Sequence, residues 1–230
     1  MRRAPAATQI IVGLAAVVTL ALAVNWIYQV VRKPSELFFP VSGTLYKTPS
    51  ETWRVYAPIA LAQVEGSGNP VARTYWRWSW KPRLLEIYRP ASSSVGMYQM
   101  TDGTFAQARH YCIRDHSVVR DGPWNDWRSC WFNTLYWRLV PSHAVELTSA
   151  YLDLHVASTL ARYRVTSATL RQKQRLAAVI HLCGAAAGEA YVRRGLRLFD
   201  GQRCADHDPR VYLARVDALQ AVFARLAAEV

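Results

Sequence analysis

From Thr8 to Val31 the chain reads TQIIVGLAAVVTLALAVNWIYQVV, without one charged residue. No other feature limits its folding as strongly. A stretch with no polar face belongs in a protein interior or in lipid. As a helix it would be about 36 Å long, enough to cross the hydrocarbon of a bilayer. Met1-Arg2-Arg3 precedes it, and Arg32 and Lys33 close it. Trp26 and Tyr28 lie near that end, where interfacial aromatics sit. A cleaved signal peptide is the rival, with Ala21-Leu22-Ala23 as the cleavage site behind a shorter apolar stretch. The run continues past Ala23, which favours an uncleaved anchor. Arg2, Arg3 and the terminal amine hold the N-terminus in the cytoplasm, while Arg32 and Lys33 pull the other way. On either reading residues 1–33 are a membrane anchor or signal segment, and the rest of the chain is exported.

Four cysteines, Cys112, Cys130, Cys183 and Cys204, suit an exported chain. They allow three pairings. Joining neighbours, Cys112 to Cys130 and Cys183 to Cys204, closes two short loops, each contributing about 3 kcal/mol on the loop-entropy model. The alternative is zinc, with His110 and His116 flanking Cys112, although no two cysteines have CxxC spacing. The net charge is +12 and arginine dominates it. Such a charge points to an acidic partner: nucleic acid, anionic lipid or an anionic cell-wall glycan. Export and the lack of a helix-turn-helix or RNA-binding signature argue against nucleic acid. The 9 Trp and 12 Tyr suit stacking on flat ligand faces as well as core packing.

The hydrophobic fraction of 51% supports a sizeable core. Residues 34–52 mix Pro, Ser, Gly and Thr with apolar residues, as a linker does. The domain proper spans 53–230. Trp53–Val64 reads as a short helix facing inward through Val55, Ile59, Ala62 and Gln63, with Pro58 placing its start near that residue. Gly66, Gly68 and Pro70 end it. Tyr75 to Trp80 alternates as an extended arm. Thr101–Tyr111 reads as a helix opened by Thr101 and Asp102. Another runs from Pro141 to Leu160 with Ser142 as N-cap. Leu170–Leu182 is a helix stopped by Gly184, and Pro209–Ala228 is the last. Its apolar stripe is Val211, Leu213, Val216, Leu219, Val222, Phe223 and Leu226. The class is mainly α: one helical domain with a short extended arm, after a transmembrane helix.

Two segments carry chemistry. Ala62-Gln63-Val64-Glu65-Gly66-Ser67-Gly68-Asn69-Pro70 ends an apolar helical run on a lone carboxylate. Ser94-Val95-Gly96-Met97-Tyr98-Gln99 is a glycine-containing polar loop downstream. A carboxyl at the end of an apolar helix sits where core gives way to cleft. Burial and the negative helix C-terminus both favour its protonated form, which a general acid requires. The two segments resemble the first two motifs of the soluble lytic transglycosylases, relatives of goose-type lysozyme. The resemblance covers roughly residues 55 to 200 and implies a lysozyme-like α+β fold. In that family a catalytic Glu is followed by Ser and a segment ending Asn-Pro, and the second motif is Ser-x-Gly-Leu-Met-Gln. Here Gly66 stands in place of the Ser, and Tyr98 in place of the second-motif Met.

The resemblance implies Glu65 as catalytic acid. Ser67, Asn69, Ser94, Gly96, Met97, Tyr98 and Gln99 would then bind substrate, with Gly96 admitting a sugar to the backbone and Ser94 and Gln99 hydrogen-bonding to it. The family's third motif, Ala-Tyr-Asn-x-Gly, brings a Tyr towards the acid. Its counterpart here is Ile180-His181-Leu182-Cys183-Gly184, with His181 at the Tyr position, either substituting for it or packed as an ordinary helix residue. The Glu65–Ser94 interval is longer than the family's, and the excess falls in the Trp/Arg-rich arm. That arm is expected to line the cleft, with Trp76, Trp78 or Trp80 stacking on sugar rings and Arg73 or Arg77 meeting acidic peptide stems.

The reaction so implied cleaves the MurNAc-β-1,4-GlcNAc bond of peptidoglycan through one carboxyl group, leaving a 1,6-anhydro end. No metal or organic cofactor is called for. A hydrolytic muramidase would need Glu86, Asp102, Asp115 or Glu146 as a second carboxylate. A non-catalytic peptidoglycan-binding scaffold is the other alternative. The expected setting is a bacterial envelope, with the domain periplasmic and held at the inner membrane, or free after signal cleavage. A partner from the envelope machinery is compatible with it.

Overall fold

The computed structural model describes residues 6–31, 52–72, 76–78, 88–90, 93–114, 117–123, 125–126 and 129–228. The expected linker lies outside them, apart from Thr52. Among the described residues seven helices dominate. Helix α1 is Ala6–Val31, and α2 is Thr52–Gly66. Strands β1 (Trp76–Trp78) and β2 (Tyr88–Pro90) pair antiparallel, Trp76 opposite Pro90 and Trp78 opposite Tyr88. Helix α3 (Asp102–Ala108) leads to a second hairpin, β3 (Tyr111–Arg114) with β4 (Ser117–Arg120). A 3-10 turn at Trp131–Leu135 precedes α4 (Pro141–Arg162), α5 (Leu170–Cys183), α6 (Ala185–Arg193) and α7 (Pro209–Ala228).

Helix α1 is exposed on every face from Thr8 to Val24, the part whose side chains are described. Thr19 returns its hydroxyl to the Ala15 carbonyl (2.8 Å), so that polar group is satisfied within the helix. Among the described residues no helix is long and apolar enough to cross a membrane, and the expected spanning helix is therefore not shown.

The core is built around α2. Ile59, Ala60, Leu61 and Ala62 are consecutive and all at most 2% exposed, so no face of the helix meets water there. Helices α4, α5 and α7 surround it. Leu176 to Ile180 of α5, Leu152 and Val156 of α4, and Val216 and Phe223 of α7 complete the cluster. Burying Leu61 alone contributes about 2 kcal/mol. The helix is longer than expected: it starts at Thr52 and runs through Pro58. The cost of an interior proline, about 3 kcal/mol, is outweighed by the packing that follows it.

The other helices end where local chemistry dictates. Thr169 and Gln172 form a capping box on α5, their bonds 3.2 and 2.8 Å long. Gly184 closes α5 at φ +85°. Helix α4 opens on Pro141 after Val140, so Ser142 is inside the helix and is not its cap. Helix α3 is capped by Thr101 but stops at Ala108, because Tyr111 enters β3 instead of continuing the helix. In α7 Tyr212, Leu213, Val216 and Phe223 are buried, whereas Val211, Val222 and Leu226 of the expected stripe are exposed.

The hairpin β3–β4 lies where the sequence pattern predicts the end of a helix at Tyr111. Distant partners hold it. Glu146 of α4 accepts from the Ile113 amide (3.1 Å) and from the Tyr136 hydroxyl (2.7 Å). Buried Asn133 donates to the carbonyls of Arg109 and Tyr111. Cys112 is bonded to Cys130, and Cys183 to Cys204, with Cα separations of 5.6 and 5.2 Å. Both neighbour pairings thus hold, and Cys112 is not a zinc ligand. Cys112→Ser with Cys130→Ser should lower stability by about 3 kcal/mol in urea unfolding. An unchanged midpoint would mean that the hairpin is fixed without its covalent tie.

Candidate functional site

The end of α2 sets the site. Ser67 and Gly68 turn left-handed (φ +50° and +70°), and the Gly68 amide returns to the Ala62 carbonyl at 3.0 Å. Asn69 Oδ1 then accepts from the Val71 amide (3.0 Å), which folds the chain back. Ala72 joins this turn to the second segment. Its carbonyl accepts from the Gly96 amide (2.8 Å) and from Gln99 Nε2 (3.2 Å). The Val95 and Met100 backbones bond each other in both directions. The two segments also touch directly: a Cβ on Gly66 would lie 3.0 Å from the Met97 carbonyl oxygen. A side chain at 66 would push the 96–98 turn away from Glu65, which accounts for glycine there.

Glu65 lies at this junction with its side chain 18% exposed. Its Oε1 accepts from the Tyr212 hydroxyl at 2.6 Å. His181 Nε2 stands 3.6 Å from the same oxygen. The Tyr98 ring meets the His181 ring edge-on at 6.4 Å. Burial, with the nearby Glu65 carboxylate and its hydrogen bond, holds the Tyr212 hydroxyl well above the usual tyrosine range. Tyr212 is therefore a donor at any working pH. Burial lowers the His181 ring from its ordinary value, while Glu65 and the Tyr98 backbone oppose that shift. Near neutrality the Glu65 carboxyl group is therefore met by the Tyr212 phenol and by an uncharged His181 imidazole.

Of the residues expected at the site, His181 is brought to Glu65. Four others have different roles. Met97 and Tyr98 are core residues, 0% and 1% exposed, and cannot face a sugar. Gly96 (φ +83°) is buried against protein: a Cβ there would sit 2.6 Å from the Arg138 carbonyl oxygen. Gln99 directs its amide nitrogen at the carbonyls of Ala72 and Gly96 and so staples the turn. Ser67 and Asn69 are exposed at the rim, and Ser94 is half-buried. The backbones of Trp76 and Trp78 form β1 as the arm required. Their side chains lie outside the described residues, as do Arg73, Trp80, Glu86 and Asp115. Asp102 pairs with Arg138, and Glu146 is engaged in the hairpin lobe.

No family model, curated protein or solved structure matches this chain.

The residue that sequence reasoning missed is Tyr212, which lies 147 positions from Glu65. Its signal was the register of α7. Tyr212, Val216, Leu219 and Phe223 make a better inward stripe than one starting at Val211, and Val211 is 52% exposed. An open groove of about 540 Å³ lies elsewhere, between the end of α5, α6 and the 199–205 loop. Glu65 does not line it.

Burial lowers three histidines, His143, His155 and His181. An unfolded chain therefore protonates them first as pH falls. Stability should be full above about pH 6.5 and lost progressively below it. Thermal unfolding followed by circular dichroism should show a lower Tm at about pH 5.5 than at about pH 7.5. A Tm that holds or rises on acidification contradicts this.

Proposed function

We propose that the chain is a peptidoglycan lytic transglycosylase, with a lysozyme-like fold and Glu65 as its single catalytic carboxyl group. The observation that carries this reading is the junction of the two motif-like segments at a shielded Glu65, one of whose oxygens is held by Tyr212. The remaining oxygen is the one to deliver a proton to the glycosidic oxygen. As the bond breaks, positive charge builds on the sugar and the carboxylate left behind faces it. The Tyr212 hydrogen bond stabilises that carboxylate. Glu65 then takes the proton of the MurNAc C6 hydroxyl as that oxygen attacks C1, which closes the 1,6-anhydro ring. No water is consumed. Of the carboxylates weighed as a second group, the two among the described residues, Asp102 and Glu146, are held elsewhere, which favours this route over two-carboxylate hydrolysis.

The substrate is the glycan strand of the bacterial wall, and the positive net charge suits its acidic peptides. We place the domain in the periplasm on an inner-membrane anchor. The support is the uncharged run from Thr8 to Val31 and the exposure of its described part, Thr8 to Val24, on every face, since an apolar helix without a polar face needs lipid around it. Incubating the full chain with purified sacculi should release anhydromuropeptides, detected by mass spectrometry. Reducing-end muropeptides would indicate a hydrolase instead.

A second reading is a non-catalytic wall-binding scaffold. It is favoured by the internal use of Gln99 and the burial of Met97 and Tyr98, which leave fewer side chains for sugar. Sacculus binding with no soluble product would select it.

A further inference from the structure

His181 reaches Glu65 from the last turn of α5. Its side chain is 11% exposed, and its Nε2 is 3.6 Å from Glu65 Oε1. The titratable groups facing the ring are Glu65 from α2, Tyr98 from the 96–99 turn, and Tyr212 from α7, which holds the same carboxyl oxygen. The helix end that carries the ring is anchored. Two residues on, Cys183 is tied to Cys204, and Gly184 ends the helix. A histidine here differs from a tyrosine in one decisive respect: it can become positively charged within the working pH range.

We propose that His181 is a positioning residue that sets the acid limit of catalysis, so that the glycan is cleaved only while this ring is uncharged. The proposal rests on the reading of Glu65 as proton donor. A single proton shared by Glu65 and His181 is productive on the carboxyl and idle on the imidazole. With a second proton bound, Glu65 can still donate. Its carboxylate would then be paired with the imidazolium, and the added positive charge would repel the cation forming on the sugar. Burial of the ring resists both charged arrangements.

Two measurements on the full chain test this. The first is the rate of anhydromuropeptide release from sacculi between about pH 4.5 and pH 8, for the wild type and for His181→Gln, which cannot take the charge. The wild-type rate should fall about tenfold per pH unit on the acid side. The variant should hold its own neutral-pH rate to about one unit lower. Coincident acid limbs overturn the proposal. The second is a titration of the ring by NMR with ¹³C-labelled histidine, in the wild type and in Glu65→Gln. Removing the carboxylate should lower the His181 midpoint by about one pH unit. An active chain with an unmoved midpoint sinks the acid limit alone. A chain with a shifted midpoint that cleaves no glycan at any pH sinks the enzymatic reading, and the acid limit with it.

Discussion

Glu65→Gln should reduce anhydromuropeptide release from sacculi by about a thousandfold while leaving the fold intact. The choice of glutamine matters. Tyr212 donates to Glu65 Oε1, and a glutamine side-chain carbonyl accepts that bond with the same geometry. The amide nitrogen replaces the second oxygen, which is the one to hold the transferable proton. The substitution thus removes chemistry and keeps packing. Glu65→Ala would not separate the two. It would leave the Tyr212 hydroxyl buried without its acceptor, at a cost of about 2 kcal/mol. The check is product yield together with thermal unfolding. A Glu65→Gln chain that unfolds like wild type and yields wild-type product would remove Glu65 from the reaction.

The parts of this fold that were legible in sequence are those with local causes. Helix α5 is bounded by Thr169, Gln172 and Gly184, each acting within four residues of the end it fixes. Helix α7 begins on Pro209 as expected. Both disulfides join each cysteine to the next one along the chain, 18 and 21 residues away, which is the least costly closure of the unfolded chain. What failed depends on distant partners. The four-residue strands β3 and β4 are too short to signal themselves, and Glu146, Asn133 and Cys130 hold them from outside. Pro58 looked like a helix start because local propensity says so, and the burial of Ile59–Ala62 overrides it. At the site, Glu65 was legible because an apolar run ends on it. Met97 and Tyr98 could not be told from ligand contacts by motif position alone. Their burial follows from Gly66 and Gly96, two glycines whose missing side chains let backbones meet.

Gly96→Ala should cost about 4 kcal/mol of stability and lower activity with it. Two independent penalties add at this position. The backbone is left-handed at φ +83°, which a Cβ disfavours. The new methyl would also lie 2.6 Å from the Arg138 carbonyl oxygen, a backbone atom that cannot swing aside. Arg138 is itself anchored, because its guanidinium donates to the Met100 carbonyl (2.7 Å) and pairs with Asp102. The turn must therefore move instead, and it carries Met97, against which Gly66 packs. The displacement reaches the residue that follows Glu65, so stability and product release should fall together. Gly103→Ala is the matched control. Gly103 lies within α3 with nothing inside 4 Å of its missing Cβ, and the same change there should stabilise the chain by about 0.5 kcal/mol. Urea unfolding of both variants checks the pair. If Gly96→Ala unfolds at the wild-type midpoint, the close approach of Gly96 to Arg138 is not what holds the second segment against Glu65.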